Sequence, residues 1–477
     1  MLFLYLLRII VKKNIFREYD IRGIVGSEIL LEEAYNLGCA IASYLKTKNP
    51  TMQSIIVGRD GRSHSAALTK DITQAILDAG IDVIDIGLSP TPAMYFAIHR
   101  LNNPYGITIT ASHNPKEYNG VKIWGVWGEH IQEIRQYYEN RQFLKKTLIP
   151  GMHTHVNIVD DYISYMQKAF AHLQGKKINA VVDCGNGSAG VVFPQIVKAL
   201  DLKNVSILFG DVDGNFPNHE ADPTVPENMT FVRETLVKDA SLAFGLGFDG
   251  DADRMNPMTK KGVLVPGDQL LSLFAQQTLQ KQPGRAVVFD IKSSGGLVEL
   301  LQTWQAEAVM SPSGHTYIKQ NMKKYNAVLG GELSCHFFFA DRYFGYDDGI
   351  YAALRLFELI TASEKSLDAL LEIFPSKVSS PEIRIACKSD DEKKIIIDTI
   401  KEIFAARTDV ESITIDGIRA IMPYGWGLAR ASNTQPVICL RFEATNNDHL
   451  NLVKQDFFNA LTSYFDPVTL KDRIDLI

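Results

Sequence analysis

The stretch LAFGLGFDGDADR, Leu242–Arg254, places a short apolar run directly before a loop with three aspartates. The apolar run predicts a buried β-strand that ends at the glycine-containing loop. The same pattern of an apolar run followed by a polar loop recurs at 54–57, 106–110, 180–182, 286–289 and 327–329. Amphipathic helical stretches lie between these runs, such as Gln269–Gln280 and Gly349–Thr361. Strands that alternate with helices predict parallel α/β sheets, whose ligands bind at the carboxyl ends of the strands.

The pattern changes from about Pro381 onwards. Strands are predicted at Glu382–Cys387 and Val437–Phe442, and helices at Asp391–Ala406 and His449–Tyr464, without the strand-then-glycine-loop order. A chain of 477 residues is long enough for three or four domains. With boundaries placed in polar loops, we expect domains at 1–159, 160–263, 264–377 and 378–477, the last of them a smaller α+β domain.

Composition excludes several classes of protein. Hydrophobic residues make up 46% and charged residues 22% of the chain, which is typical of soluble globular proteins. A net charge of −6 offers no broad attraction for nucleic acid or anionic lipid. The five cysteines are scattered without a Cys-x-x-Cys pair, so we expect reduced thiols and a cytoplasmic location.

The apolar segment Met1–Val11 is interrupted by Arg8 and is shorter than the roughly 20 residues of a membrane span. It also lacks the small-residue cleavage site of a signal peptide. The segment is interpreted as an extra strand, a frayed end or the result of a start codon placed too early.

The loop Asp249–Arg254 carries carboxylates at Asp249, Asp251 and Asp253, separated by small residues. Oxygen ligands favour a hard cation, and Mg²⁺ needs few protein carboxylates because water and phosphate complete its shell. A calcium loop is excluded, since the sixth position is Arg254 and the twelfth is Lys260. The alternative is a solvated acidic turn. Arg254 suits a phosphate ligand beside the metal.

The loop Thr110-Ala111-Ser112-His113-Asn114-Pro115 places a hydroxyl, an imidazole and an amide at the end of a strand. A hydrogen-bonded turn explains the same residues, because Ser, Asn and Pro are common in turns. A serine that accepts phosphate needs a base and cationic donors, and His113 and Lys122 are close enough in sequence to supply them.

Two further loops carry polar side chains. Gly331–His336 alternates Glu332, Ser334 and His336, a set that suits sugar hydroxyls, although a surface loop explains it equally well. The segment Arg430–Pro436 places a guanidinium, two hydroxyls and an amide on one turn, which matches the geometry of phosphate. Its alternative is an exposed turn.

These four loops, in this order, resemble those of the α-D-phosphohexomutase family, most closely its bacterial phosphomannomutase/phosphoglucomutase branch. The resemblance extends from Phe16 to about Phe465. It includes the motifs Phe16–Gly23, Gly58–Arg62, Val212–His219 and Arg342–Gly349.

The resemblance implies a fold and a set of roles. The fold comprises three related α/β domains with mixed sheets and a smaller C-terminal α+β domain around a central cleft. Ser112 would carry the phosphoryl group and would bind Mg²⁺ together with the three aspartates. Further implied residues are Lys122 and His315 for acid/base work, Arg22, His113 and Arg254 in the catalytic cleft, Tyr19, Lys292, Glu332, Ser334 and His336 at the sugar, and Arg430, Ser432, Asn433 and Thr434 at the phosphate that is not transferred.

The implied activity is interconversion of hexose 1-phosphate and hexose 6-phosphate, for mannose and glucose, through a phosphoserine and a hexose 1,6-bisphosphate that also acts as activator. Partners would be hexose phosphates alone, with no nucleic acid or membrane, and we expect a monomer. Leu333 favours the mannose/glucose branch over phosphoglucosamine mutase, whose members tend to carry glutamine there. A metal-dependent phosphatase would explain the aspartates but leaves Ser112 without a role, and a non-catalytic sugar-phosphate sensor would not need the serine and the metal loop.

Several positions depart from the family pattern, and Met255-Asn256 after Arg254 is unusual. Ala111, Ala252 and Cys335 stand where glycine is common in the family. A side chain at such a position restricts the backbone. None of the three is an implied ligand or the nucleophile, so we expect activity.

Overall fold

The computed structural model describes residues 15–432 and 436–475. The interpretations of Met1–Asn14 and the roles of Asn433 and Thr434 lie outside these residues. Contacts divide the chain into two compact units. One comprises the residues up to Pro266 with Ser334–Phe338 and Tyr346–Leu370, and the other comprises Gly267–Leu333, Phe339–Gly345 and the chain from Leu371 onwards.

The first sheet has six strands in the order β1-β5-β4-β2-β3-β6. Strands β2, β3, β4 and β6 are parallel, whereas β5 pairs antiparallel with β4 and with β1. Its strands are β1 (Ile21–Ile24), β2 (Ser54–Arg59), β3 (Asp82–Leu88), β4 (Gly106–Ile109), β5 (Tyr118–Ile123) and β6 (His153–His155). Its helices are α1 (Ala34–Lys48), α2 (Ser65–Asp78), α3 (Thr91–Arg100) and α4 (Glu129–Glu139), with a 3₁₀ turn at Leu31–Glu33.

The second sheet has the order β10-β9-β7-β8, with only β10 antiparallel. Its strands are β7 (Lys177–Asp183), β8 (Lys203–Leu208), β9 (Phe244–Phe248) and β10 (Met255–Thr259). The accompanying helices are α5 (Ile158–Ala169), α6 (Ala189–Ala199) and α7 (Thr230–Lys238), with a 3₁₀ turn at Ala171–Leu173. Every residue of β9 is buried, as expected for a central strand covered on both faces.

The third sheet has β11 (Ala286–Asp290) between β12 (Glu307–Ser311) and β13 (Leu329–Gly331), all parallel. Its helices are α8 (Gly267–Lys281), α9 (Gly295–Thr303) and α10 (His315–Lys324). Strand β14 (Phe337–Phe339) and helices α11 (Gly349–Ser363) and α12 (Leu367–Leu371) follow.

The C-terminal sheet is antiparallel, in the order β15-β20-β19-β18-β17, with β16 also paired to β20. Its strands are β15 (Val378–Ser379), β16 (Ile383–Ala386), β17 (Glu411–Ile413), β18 (Ile418–Met422), β19 (Gly425–Ala431) and β20 (Val437–Ala444). Its core is formed with α13 (Asp390–Ala405), α14 (Asn447–Leu461) and α15 (Pro467–Ile474).

The predicted fold class is confirmed: three α/β regions, the first two with both parallel and antiparallel strand pairs, precede an α+β region. One predicted strand is displaced, because the run 327–329 was assigned to a strand that lies at Leu329–Gly331. Ala327 and Val328 are buried although they precede the strand. Apolar character in this segment therefore does not indicate at which residue the strand begins. No helix within residues 15–432 and 436–475 combines the length and apolar character needed to span a bilayer.

Candidate active site

Ser112 lies in the tight loop between β4 and β5. Its backbone amide donates to Thr110 Oγ1 at 2.9 Å, and its φ of 51° is in the left-handed region. The residue is 2% exposed. A serine rarely adopts this conformation, and such strain is typically held in place by surrounding structure at functional sites.

The three aspartates lie in the loop that joins β9 to β10. Asp249, Asp251 and Asp253 are fully buried, and one oxygen from each lies within 4.8 Å of the others. Within the described parts of the chain, Oδ1 of Asp251 and Oδ1 of Asp253 have no hydrogen-bond partner. Buried carboxylate oxygens without a donor are costly, and a hard cation would satisfy them. The donor set therefore fits Mg²⁺, and a solvated acidic turn is excluded by the burial.

The Ser112 hydroxyl contacts two groups that can take its proton. It donates to Asp249 Oδ2 at 2.7 Å and lies 3.1 Å from His113 Nδ1. Burial and the charges of Asp253 and Asp251 hold the pKa of Asp249 well above its usual range. Burial and the nearby cations Arg254 and Arg22 hold the pKa of His113 well below its usual range, so this imidazole is neutral.

Lys122, on β5, forms ion pairs with two of the aspartates. Its Nζ lies 2.7 Å from Asp251 Oδ2 and 2.5 Å from Asp253 Oδ2. Burial alone would lower the pKa of Lys122, but the charges of Asp251 and Asp253 outweigh it and raise the pKa. Burial alone would raise the pKa of Asp253, but the ammonium of Lys122 outweighs it and lowers that pKa. Lys122 is therefore a firmly protonated cation beside the triad.

Arg254 and His336 form a second charged contact beside the triad. Arg254 Nε donates to His336 Nε2 at 2.9 Å and lies 3.8 Å from Asp249 Oδ2. His336 Nδ1 lies 3.2 Å from Asp347 Oδ2 and 3.6 Å from Asp253 Oδ1. An imidazole that faces a carboxylate on one side and accepts from a guanidinium on the other has a fixed orientation.

Arg22, on β1, approaches the serine loop. Its Nη1 donates to Asn114 Oδ1 at 2.7 Å, and its other terminal nitrogen pairs with Asp20. Arg22 thus lies beside the loop of Ser112 in the first unit. Tyr19, in the same segment, is half-buried.

In the second unit, Glu332 contacts the backbone just before α10, the helix that begins at His315. Glu332 Oε1 accepts from the backbone amide of Gly314 at 2.8 Å, and His315 Nδ1 lies 3.0 Å from Lys319 Nζ. Lys292 lies at the end of β11, with its Nζ 3.5 Å from Asp290 Oδ2. Burial alone would lower the pKa of Lys292, but Asp290 and further carboxylates outweigh it and raise the pKa.

Arg430 and Ser432 lie at the end of β19 in the same unit. Arg430 Nε donates to Asp416 Oδ2 at 2.9 Å, and that oxygen also accepts from the Ser313 amide at 3.1 Å. The carbonyl of Ser432 accepts from Lys393 Nζ at 2.7 Å. Asp416 therefore forms hydrogen bonds both to Arg430 and to the loop that precedes His315.

The structure groups the predicted residues in two sets. Ser112, His113, Lys122, Arg22, Tyr19, Arg254, Ser334, His336 and the three aspartates belong to the first unit, and Lys292, His315, Glu332, Arg430 and Ser432 belong to the second.

Sequence reasoning missed Thr91, which donates its hydroxyl to Asp251 Oδ2 at 2.6 Å and its amide to Asp251 O at 2.9 Å. Thr91 begins α3 directly after β3, so the rule that polar groups gather at strand ends could have found it. Asp347 was noted only as part of the motif Arg342–Gly349, and Asp416 had no signal in the sequence.

Comparison with known families assigns each part of this architecture. Four domain models match: the alpha/beta/alpha domains I, II and III of phosphoglucomutase/phosphomannomutase at 13–145, 160–262 and 266–377, and the C-terminal domain at 382–460.

The chain belongs to the phosphoglucomutase/phosphomannomutase family. It is 42% identical over 453 residues to the phosphomannomutase/phosphoglucomutase of Pseudomonas syringae pv. tomato, covering 94% of this chain and 95% of the relative. It is 38% identical over 460 residues to the phosphoglucomutase of Neisseria gonorrhoeae, covering 95% and 98%. A crystal structure of a phosphoglucomutase/phosphomannomutase family protein from Burkholderia thailandensis superposes with a TM-score of 0.85 at 34% identity, covering 94% of this chain and 97% of the other.

Proposed function

We propose that the chain interconverts the 1- and 6-phosphates of mannose and glucose, with Ser112 as carrier of the phosphoryl group. The observation that carries the proposal is the 2.7 Å contact between Ser112 Oγ and Asp249 Oδ2, inside a buried set of aspartates suited to Mg²⁺. The names of the relatives from Pseudomonas and Neisseria support the same activity. The substrates are small hexose phosphates, and the protein acts as a monomer of four domains at 1–159, 160–263, 264–377 and 378–477.

Ser112, Asp249, Asp251 and Asp253 are the residues that would hold Mg²⁺. When bound there, the ion supplies positive charge close to the group being transferred. Lys122, Arg254 and Arg22 add fixed cations of their own, and their donors are positioned before the reaction begins.

The reaction consists of two transfers that balance. In the first, the bond between phosphorus and Ser112 Oγ breaks and a bond to the free hydroxyl of the hexose phosphate forms. The hydroxyl gives up its proton to a base, and the serine oxygen regains one. The product is a hexose 1,6-bisphosphate. In the second transfer its other phosphate returns to Ser112, and a trace of the same bisphosphate activates enzyme that has lost its phosphate.

Protonation states divide the acid/base work. Lys122 is the candidate proton donor because it carries a proton at neutral pH, although the charges of Asp251 and Asp253 raise its pKa and so make it a weak acid. His113 is neutral and 3.1 Å from Ser112 Oγ, which suits a proton acceptor. His315, at the start of α10, is the second candidate base.

The remaining residues would hold the substrate. Glu332, Ser334, His336, Lys292 and Tyr19 offer acceptors and donors for sugar hydroxyls. Arg430, Ser432, Asn433 and Thr434 would bind the phosphate that is not transferred, because a guanidinium with hydroxyl and amide donors matches its oxygens.

The test is a coupled assay on mannose 1-phosphate and glucose 1-phosphate with Mg²⁺ and a trace of glucose 1,6-bisphosphate. Wild-type protein is expected to form both 6-phosphates, and Ser112→Ala is expected to lose turnover. Ser272→Ala, which removes another buried hydroxyl on α8, is the matched control and should stay active.

Three different outcomes would each point to another function. Release of inorganic phosphate that survives Ser112→Ala would indicate a phosphatase. Binding without turnover would indicate a sensor. Faster conversion of glucosamine phosphates than of both hexose phosphates would indicate a phosphoglucosamine mutase.

A further inference from the structure

Arg62 contacts the serine loop through four backbone carbonyls. Its Nη2 donates to Ser112 O at 2.7 Å and to Asn114 O at 2.6 Å. Its Nη1 donates to Pro115 O at 2.8 Å and to Tyr118 O at 3.1 Å. The residue is 2% exposed. One guanidinium thus spans the loop from the nucleophile to the first residue of β5.

The guanidinium is itself held from the opposite side. Its Nε donates to Asp60 Oδ2 at 3.2 Å, and Asp60 Oδ1 accepts from the Arg62 amide at 3.0 Å. Ser65 donates its hydroxyl to the same oxygen at 2.5 Å. With its ends fixed in this way, the fork of donors is preorganised and loses little side-chain freedom on binding the loop.

The motif Val212–His219 packs on Arg62 from the second domain. The ring of Phe216 lies over the guanidinium at 5.1 Å. A Cβ added at Gly214 would lie 2.6 Å from the Cα of Arg62, and one added at Gly61 would lie 2.1 Å from Val212 Cγ1. The two motifs therefore fit closely only because both positions are glycine.

The serine loop needs such a restraint. Ser112 is in the left-handed region, which is strained for an L-residue. Its carbonyl also passes close to the aspartate loop, because a Cβ at Gly250 would lie 2.5 Å from Ser112 O. A shift of that carbonyl would move Ser112 Oγ away from Asp249 or push the two loops together.

We propose that Arg62 is a positioning residue of the phosphoryl transfer, which holds the Ser112 backbone in register with the aspartates, and that Phe216 covers it. This inference rests on the proposed function only for its effect on turnover, and the restraint on the loop is measurable without activity. A lysine at this position keeps the charge but has a single nitrogen, which cannot reach four carbonyls along the loop.

The decisive variant is Arg62→Lys, compared with Arg355→Lys. Arg355 is also 2% exposed and pairs with Glu358 on α11, so its variant measures the general effect of losing a buried guanidinium. For Arg62→Lys, kcat is expected to fall about 100-fold, as for a small misplacement of a reacting group. Its KM should change by less than about threefold, because the substrate contacts are retained. Arg355→Lys should keep wild-type kcat.

A milder pair of variants covers the case in which Arg62→Lys does not fold. Phe216→Leu removes the ring from the guanidinium, and Phe231→Leu removes a comparable, more exposed ring that packs on Phe209. Phe216→Leu is expected to lower kcat about tenfold at unchanged KM, whereas Phe231→Leu should not.

Hydrogen exchange of the peptide 106–124, followed by mass spectrometry, separates this inference from the proposed function. Exchange should be faster in Arg62→Lys, and in Phe216→Leu to a smaller extent, but unchanged in both controls. If the wild type turns over and the Arg62 and Phe216 variants keep its kcat and its exchange rate, the positioning role is overturned. The proposed function would then stand. Inert wild-type protein would overturn the proposed function, while faster exchange would still support the restraint.

Discussion

The ammonium nitrogen of Lys122 lies 2.5 Å from Asp253 Oδ2. The same nitrogen lies 2.7 Å from Asp251 Oδ2, so one internal cation faces two of the three buried aspartates. A charge pair at this depth offsets the desolvation of its members only while it is complete. The stability of the first unit should therefore depend on which cations face the triad.

Lys122→Met is expected to make stability depend on the metal. In buffer with EDTA the variant should lose about 3 kcal/mol or more, because two buried carboxylates lose their partner. Saturating Mg²⁺ should raise the melting temperature of the variant more than that of the wild type, because the ion replaces the missing charge. Thermal unfolding with EDTA and with Mg²⁺ measures both effects.

Lys454→Met is the matched control for this prediction. Lys454 is also buried, but it pairs with the exposed carboxylate of Asp475, away from any predicted metal ligand. Its variant should show the wild-type response to Mg²⁺. An equal response in Lys122→Met and wild type would show that Lys122 does not compensate the triad.

Asp249→Asn and Asp253→Asn should have opposite effects in metal-free buffer at neutral pH. The pKa of Asp249 is raised, so its charged form opposes folding at every pH above the unfolded value of about 3.9. Removing that charge should raise the melting temperature. The pKa of Asp253 is lowered, so its charge favours folding above the same pH, and Asp253→Asn should lower the melting temperature.

Both variants should also lose most of the stabilisation by Mg²⁺, because each removes one ligand oxygen with a full charge. Thermal unfolding across a pH series, with and without Mg²⁺, provides the comparison. Changes of the same sign in the metal-free protein would contradict the opposite electrostatic roles of Asp249 and Asp253.

The alternation of strands and helices was predictable because both periods are visible in the sequence. The antiparallel strand β10 was not, since Met255-Asn256-Pro257-Met258-Thr259 lacks a clear apolar pattern and contains a proline. The structure places this segment at the edge of its sheet, where a proline can be tolerated. The segment is a strand because it pairs with β9, and its own residue preferences do not indicate this pairing.

The site could be predicted where its residues are close in sequence, as in the aspartate loop and the serine loop. Contacts across long separations could not, because they depend on how the sheets bring loops together. Arg62 was noted only as part of a family motif, although its guanidinium contacts the Ser112 loop. Likewise, nothing near Asp416 indicates that it pairs with Arg430.

Ala252→Gly and Ala111→Gly are expected to differ although both restore the residue common in the family. Ala252 has a φ of 61°, so glycine relieves roughly 1–2 kcal/mol of strain. That gain offsets two losses. The buried methyl group is worth about 0.8 kcal/mol, and the greater conformational entropy of glycine in the unfolded chain costs about 0.4–1 kcal/mol. Ala111 has no such strain, so its variant should lose about 1.5 kcal/mol.

Urea unfolding monitored by circular dichroism measures the two differences. Ala252→Gly should stay within about 0.5 kcal/mol of the wild type. Equal losses in the two variants would show that the left-handed conformation of Ala252 carries no strain.

The pair His219 and Asp183 should make stability depend on pH. His219 Nε2 lies 3.0 Å from Asp183 Oδ2. Burial alone would lower the pKa of His219, but the hydrogen bond and charge of Asp183 outweigh it and raise the pKa. A raised histidine pKa means that the stabilisation is complete below the unfolded value of about 6.5 and is lost as pH rises through the folded value.

His219→Gln removes the titrating group and keeps a donor of similar reach. The melting temperature of wild type should exceed that of the variant most at about pH 6, and the difference should shrink by about pH 9. His153→Gln, at a histidine that is 47% exposed beside Asp85, should leave the pH profile unchanged. Only loss of the charge on His219 can make the difference in melting temperature between wild type and His219→Gln shrink as pH rises. A difference that stays constant or grows with pH would therefore mean that the charged form of His219 does not stabilise the fold.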